Sequence, residues 1–149
     1  MTNRTGLELL SAICDGTLPR APISATLGFD IVAADEGFAR FRGQPAEHLY
    51  NPMGSVHGGW ACTLLDSAIG SAVMSTLDAE TTYVTTQLSI YLTGAIDART
   101  GSVIAEGRLI HRGGRVATAE GRLTDEKGRL LAHGTATCLL LSRNKGGSR

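Results

Sequence analysis

The chain has 149 residues, 15.6 kDa and 42% hydrophobic residues, enough for one domain with a real core. Fourteen basic side chains balance fourteen acidic ones, so no global charge draws it to nucleic acid or to an anionic membrane. Cys14, Cys62 and Cys138 are odd in number and far apart, and His48, His57, His111 and His133 lack ligand spacing, which argues against a disulfide framework or a zinc site and fits a reducing compartment.

In chain order, residues 4 to 14 read as a short amphipathic helix ending near Asp15 and Gly16. Its apolar stretch is too short and too polar for a signal peptide, and nothing later is long enough to span a membrane. A cytoplasmic protein is the expectation. Residues 1 to 26 are taken as this helix and a connector, 27 to 141 as the main domain, and the polar, glycine-rich 142 to 149 as a frayed tail. Short strands are expected over 27 to 32 and 38 to 42, joined by a turn around Asp35, Glu36 and Gly37.

A polar loop from Asn51 then runs through His57, Gly58 and Gly59 into a long helix, roughly 56 to 78. At about 100° per residue, Ala61, Leu64, Leu65, Ala68, Ile69, Ala72 and Thr76 form one face suited to packing on a sheet. Asp66 lies away from that face, among the small residues Gly59, Cys62, Thr63 and Gly70. An interior Gly costs a helix about 1 kcal/mol relative to Ala, so the stripe suggests close approach of a ligand or another polypeptide. The alternative is that Asp66 is an ordinary solvated residue and His57 or Ser55 merely caps the helix.

Three long strands and a fourth follow: one ending at Leu92 with Leu88, Ile90 and Leu92 on a packed face, then 103 to 110, 115 to 123 and about 129 to 141. Tight turns at Gly113 and Gly114 and at residues 125 to 128 imply antiparallel meander pairing. Helices and strands do not alternate, which excludes a doubly wound parallel sheet. The fold class implied is α+β, a curved antiparallel sheet wrapped on one long central helix.

The loop and helix from Asn51 to Asp66, the long strands, and the stretch from His111 to Gly121 together resemble the hotdog-fold acyl-CoA thioesterases of the phenylacetate-pathway (PaaI-like) type. The similarity runs from about Leu27 to Leu140. The resemblance implies that Asp66 is the nucleophile or general base, that the Gly58 backbone N–H polarises the thioester carbonyl, and that His57 and Asn51 orient the thioester or the attacking water. It sets Thr85 near the same centre. It implies an acyl-CoA substrate, coenzyme A being part of the substrate and no cofactor or metal being needed.

Thioester hydrolysis needs a base or nucleophile and a donor aimed at the developing oxyanion, and a glycine-rich helix start supplies such a donor. Gly58 and Asp66 stand eight residues apart, about 12 Å along one helix axis, too far to serve one carbonyl. In the related enzymes the two come from different subunits, so a homodimer is expected, with two dimers joining into a homotetramer. Arg112, Gly113, Gly114 and Arg115 admit two readings: a hairpin with solvated arginines, or a grip on the phosphates of coenzyme A. Trp60 and Met53 could line the acyl pocket. A hotdog hydratase or dehydratase, which the His-Gly-Gly and Asp pattern disfavours, and a non-catalytic acyl-CoA-binding module are the alternatives. Release of free thiol separates the thioesterase from both.

Overall fold

The computed structural model describes residues 3 to 143; most of the expected C-terminal tail lies outside them. Two short helices, α1 (Gly6–Cys14) and α2 (Pro22–Leu27), precede strands β1 (Phe29–Asp35) and β2 (Phe38–Gly43). After a 3₁₀ turn at Glu47–Leu49 come the long helix α3 (Gly58–Met74) and strands β3 (Thr81–Leu92), β4 (Val103–Arg112), β5 (Val116–Asp125) and β6 (Leu130–Ser142). The six strands form one antiparallel sheet in the order β1-β2-β4-β5-β6-β3. No helix among the described residues is long and apolar enough to cross a membrane.

Local chemistry explains the element ends. Thr5 and Glu8 make a reciprocal capping box, the Glu8 N–H donating to Thr5 Oγ1 at 3.2 Å and the Thr5 N–H to Glu8 Oε2 at 2.7 Å. Helix α2, which the sequence reading passed over as connector, has Pro22 in its first turn and Gly28 in the left-handed region at its end (φ 69°, ψ 49°). The strand expected from Leu27 therefore starts at Phe29. Helix α3 is shorter than expected because His57 is already extended (φ −60°, ψ 132°) and Ser75 closes the far end, its Oγ donating to Ala72 O at 2.7 Å.

The core sits between α3 and the concave face of the sheet. Ala61, Leu64, Leu65, Ala68, Ile69 and Ala72 are all buried, as the helical wheel requires, while Thr76 lies beyond the helix and is only half-buried. Gly107 of β4 permits the closest helix–sheet approach, since a Cβ there would stand 2.1 Å from the Ala68 carbonyl oxygen and 2.7 Å from the Ile69 nitrogen. Backbone cannot step aside as a side chain can. Gly107→Ala should therefore destabilise the fold by about 1–3 kcal/mol, the scale of overpacking, read as a lower urea midpoint at unchanged slope. An unchanged midpoint would mean that α3 does not seat on β4 in this way.

Two departures from the expected sheet matter for function. The meander holds for β4, β5 and β6, but β3 pairs with β6 at an edge of the sheet and not with β4, its successor in sequence. Leu88 and Leu92, expected on a packed face, are consequently exposed, Leu92 by 56%; only Ile90 is half-buried. In addition, a bulge at Thr86 shifts the register between Thr85 and Gln87. Beyond it the alternation reverses, so Tyr83 and Thr85 pair with Leu140 and Cys138 on the helix-facing side.

Candidate active site

That reversal builds the surroundings of Asp66. Thr85 Oγ1 donates to Asp66 Oδ1 at 3.1 Å, and the other carboxylate oxygen accepts no hydrogen bond among the described residues. Asp66 is half-buried, neither in the core nor freely solvated. Cys138, opposite Thr85 in the sheet, is fully buried, and burial together with the nearby Asp66 charge pushes its thiol above the ordinary range despite the Thr85 hydrogen bond. It remains a neutral thiol, not a nucleophile.

Tyr83 completes the group. Its hydroxyl lies where a Cβ on Gly70 would stand, 2.5 Å away, one helical turn beyond Asp66. Burial above all, with the Asp66 charge nearby, raises the Tyr83 phenol well above its usual value, so the hydroxyl keeps its proton. The small-residue stripe on α3 is thus partly filled from within: Gly70 makes room for Tyr83 and not for a partner chain. Neither Tyr83 nor Cys138 has a place in the site from sequence alone, because the alternation that places Tyr83 changes phase at Thr86 and Cys138 meets Thr85 only through the β3–β6 pairing.

Gly58 and its neighbours form a second cluster at the start of α3. His57 Nδ1 accepts from the Gly59 N–H at 2.9 Å, which leaves the imidazole proton on Nε2, and His57 O accepts from the Trp60 N–H at 2.9 Å. The Gly58 N–H meets no protein acceptor among the described residues. It is the free donor of the first turn, in the positive end of the helix dipole. A cleft of about 270 Å³ opens beside it, lined by His48, Tyr50, His57, Gly59 and Thr63 among others. His48 and Tyr50 therefore border the helix start.

Asn51 has a structural task in this arrangement. Its Oδ1 accepts from the N–H groups of Met53 (2.9 Å) and Ser55 (3.3 Å), and its Nδ2 donates to Ser55 Oγ at 3.1 Å, which shapes the turn before His57. Trp60 is a core residue, 4% exposed, with its indole N–H on Leu27 O at 2.8 Å. Met53 is 82% exposed. Trp60 also borders the cleft at the start of α3.

The structure brings Thr85 to Asp66 and sets His57 beside Gly58, but it does not bring the two clusters together. Asp66 and Gly58 remain about 12 Å apart along one helix. Arg112 and Arg115 lie elsewhere again, at the far end of α3. A bulge after Leu109 puts Arg112 on the helix-facing side, opposite Ala117, where its charge adds a minor pull to the Thr81 hydrogen bond that lowers the Asp78 carboxyl. Both arginines are exposed, and neither forms an ion pair among the described residues, whereas Arg20, Arg40, Arg99, Arg108 and Arg129 all do. Gly113 and Gly114 connect the strands, the Gly113 N–H donating to Val116 O at 2.8 Å. No cluster of three or more potential metal ligands occurs among the described residues.

Comparison with known proteins agrees with this architecture. A solved Ralstonia eutropha protein described as phenylacetic acid degradation-related is 30% identical, with a TM-score of 0.78 over 87% of this chain and 98% of that one. A Streptococcus mutans protein solved with acetyl-CoA bound is 25% identical, with a TM-score of 0.70 over 77% and 90%. Escherichia coli PaaI, from the phenylacetic acid degradation operon, shares the fold at a TM-score of 0.79 over 93% and 97%, with 19% identity. No curated protein matches. The sequence profile of the thioesterase superfamily matches residues 53–132, more than half of the chain and the whole stretch from the loop before α3 into β6, so the chain belongs to that superfamily as a hotdog-fold thioester hydrolase.

Proposed function

We propose that the protein is an acyl-CoA thioesterase working as a dimer, with Asp66 of one protomer and the Gly58 N–H of the other at each site. The observation that carries this reading is the Thr85–Asp66 contact: one carboxylate oxygen is held and the other is left open. As general base, Asp66 takes a proton from water while the water oxygen attacks the thioester carbon. The Gly58 N–H donates to the oxyanion, and the coenzyme A thiolate leaves with the proton that Asp66 returns. As nucleophile, the carboxylate attacks the thioester carbon and displaces the coenzyme A thiolate, and water opens the resulting anhydride to the free acid and the restored carboxylate, its second proton going to the thiolate. Quenching a single turnover separates the two, since only the nucleophile route passes through an acyl–Asp66 anhydride that hydroxylamine traps.

Two features support sharing the site between protomers: the two groups are too far apart on one helix, and the free edge of β3 exposes Leu88 and Leu92. Two such dimers joining into a tetramer would fit the same design. Sedimentation at assay concentration should find no active monomer.

Arg112 and Arg115 are the proposed phosphate contacts, because both guanidinium groups are exposed and uncommitted. The basic test is thiol release from a panel of aryl- and alkyl-CoA esters; a protein that binds these esters and frees no thiol is a binding module. Changing both arginines to Ala should raise KM for acyl-CoA about 10-fold or more with kcat little changed, since a remote charge holds ground and transition states alike. Salt should weaken the parent more than the variant. Equal kinetics on acyl-CoA and on a pantetheine thioester lacking the nucleotide would remove the arginines from the binding site.

A further inference from the structure

The N-terminal helices flank a half-open cavity that the proposed chemistry has not used. About 220 Å³ in volume, it lies between α1, α2, β1 and the flank of α3, walled by Leu10, Ile13, Ile23, Met74 and Tyr83, with Ser67 and Ser71 along α3. Its position relative to Asp66 is specific. Ser67 follows Asp66 in the helix, and Tyr83, which stands over Gly70 and feels the Asp66 charge, is one of its walls. Tyr83 and Ser67 thus set the cavity directly beside the reacting centre.

We infer that this cavity is the acyl pocket, taking an uncharged acyl group of medium length or a single aromatic ring, with α1 and α2 setting the limit. The inference rests on the acyl-CoA reading above. Leu10 and Ile13 of α1 and Ile23 of α2 give the cavity an aliphatic wall beside Ser24, so burial of methylenes or of a ring is favourable there, at about 0.8 kcal/mol per CH₂. The one cation at the rim, Arg20, is already paired with Asp30 at 3.0 Å and is not offered to a carboxylate at the end of a chain. A cavity of about 220 Å³ has room for several methylenes or one ring. Docking of α1 keeps the pocket shaped: the Gly6 N–H donates to Leu77 O at 2.8 Å, and Gly6 packs directly on the Met74 backbone.

The test is a chain-length profile of kcat/KM, from acetyl- to dodecanoyl-CoA with phenylacetyl-CoA added, for the full chain and two variants. Ile23→Trp, at a residue 50% exposed, puts an indole into the cavity. It should cut kcat/KM on octanoyl- and phenylacetyl-CoA at least ~10-fold, a scale typical of misfit in an apolar pocket, and leave acetyl-CoA within about two-fold. Ile13→Ala, at a half-buried residue, enlarges the cavity and should move the optimum to longer chains, which keeps the test open if the Trp variant folds poorly. If the parent releases thiol and neither variant alters its profile, the pocket assignment is wrong while the thioesterase reading stands. If the parent releases no thiol from any of these esters, both fall together.

Discussion

Replacing Asp66 by Asn is expected to lower kcat by at least ~10²-fold, the scale of a positioned acid or base, with the fold intact. The Asn side chain has nearly the same shape, and its carbonyl oxygen can still accept the 3.1 Å hydrogen bond from Thr85. The change removes charge and basicity and little else. Asp66→Glu should restore part of the rate, because it keeps the carboxylate and displaces it by one methylene. Thr85→Val removes the hydroxyl that holds Oδ1 and should give a smaller loss than Asp66→Asn. Were Asp66 only a solvated helix residue, the Asn variant would keep its kcat and change stability by less than about 0.5 kcal/mol.

Gly58→Pro is expected to be equally severe, about 10²–10³-fold in kcat, the loss seen when one oxyanion donor is removed. Proline takes away the N–H, and the local backbone can accept it. Gly58 is the first residue of α3, where proline is favoured, and His57 before it has the extended conformation that a following proline requires (φ −60°, ψ 132°). No protein acceptor loses a hydrogen bond. The added ring meets the tip of Leu92, a flexible and largely exposed side chain. Circular dichroism should show the parent's helix content; a variant that is both folded and fully active would clear Gly58 of the role.

Much of this was legible in the sequence where periodicity was unbroken. The apolar face of α3 and the antiparallel run from β4 to β6 follow directly from spacing and turn residues, as does the glycine-rich start of the helix. What escaped notice lies where periodicity breaks or where contacts are distant in sequence. Helix α2 has only six residues, too short for a clear amphipathic pattern, although Pro22 and Gly28 mark its ends. The pairing of β3 with β6 depends on the path of the chain around α3, which no local pattern encodes. Gly70 reads in the sequence as part of a stripe for a ligand or another polypeptide; only the bulge at Thr86, which turns Tyr83 inward, shows what fills it.

The central claim is that each site is made by two protomers, Asp66 from one and Gly58 from the other. It is tested most directly by mixing Asp66→Asn and Gly58→Pro protomers, each nearly inactive alone, under conditions that exchange subunits. Random reassociation makes half of the dimers mixed, and in each of these one site carries both changes and the other neither. The account predicts recovery of about a quarter of the parent activity on mixing. A mixture that stays as inactive as its components, with exchange verified by differently tagged protomers, would contradict it.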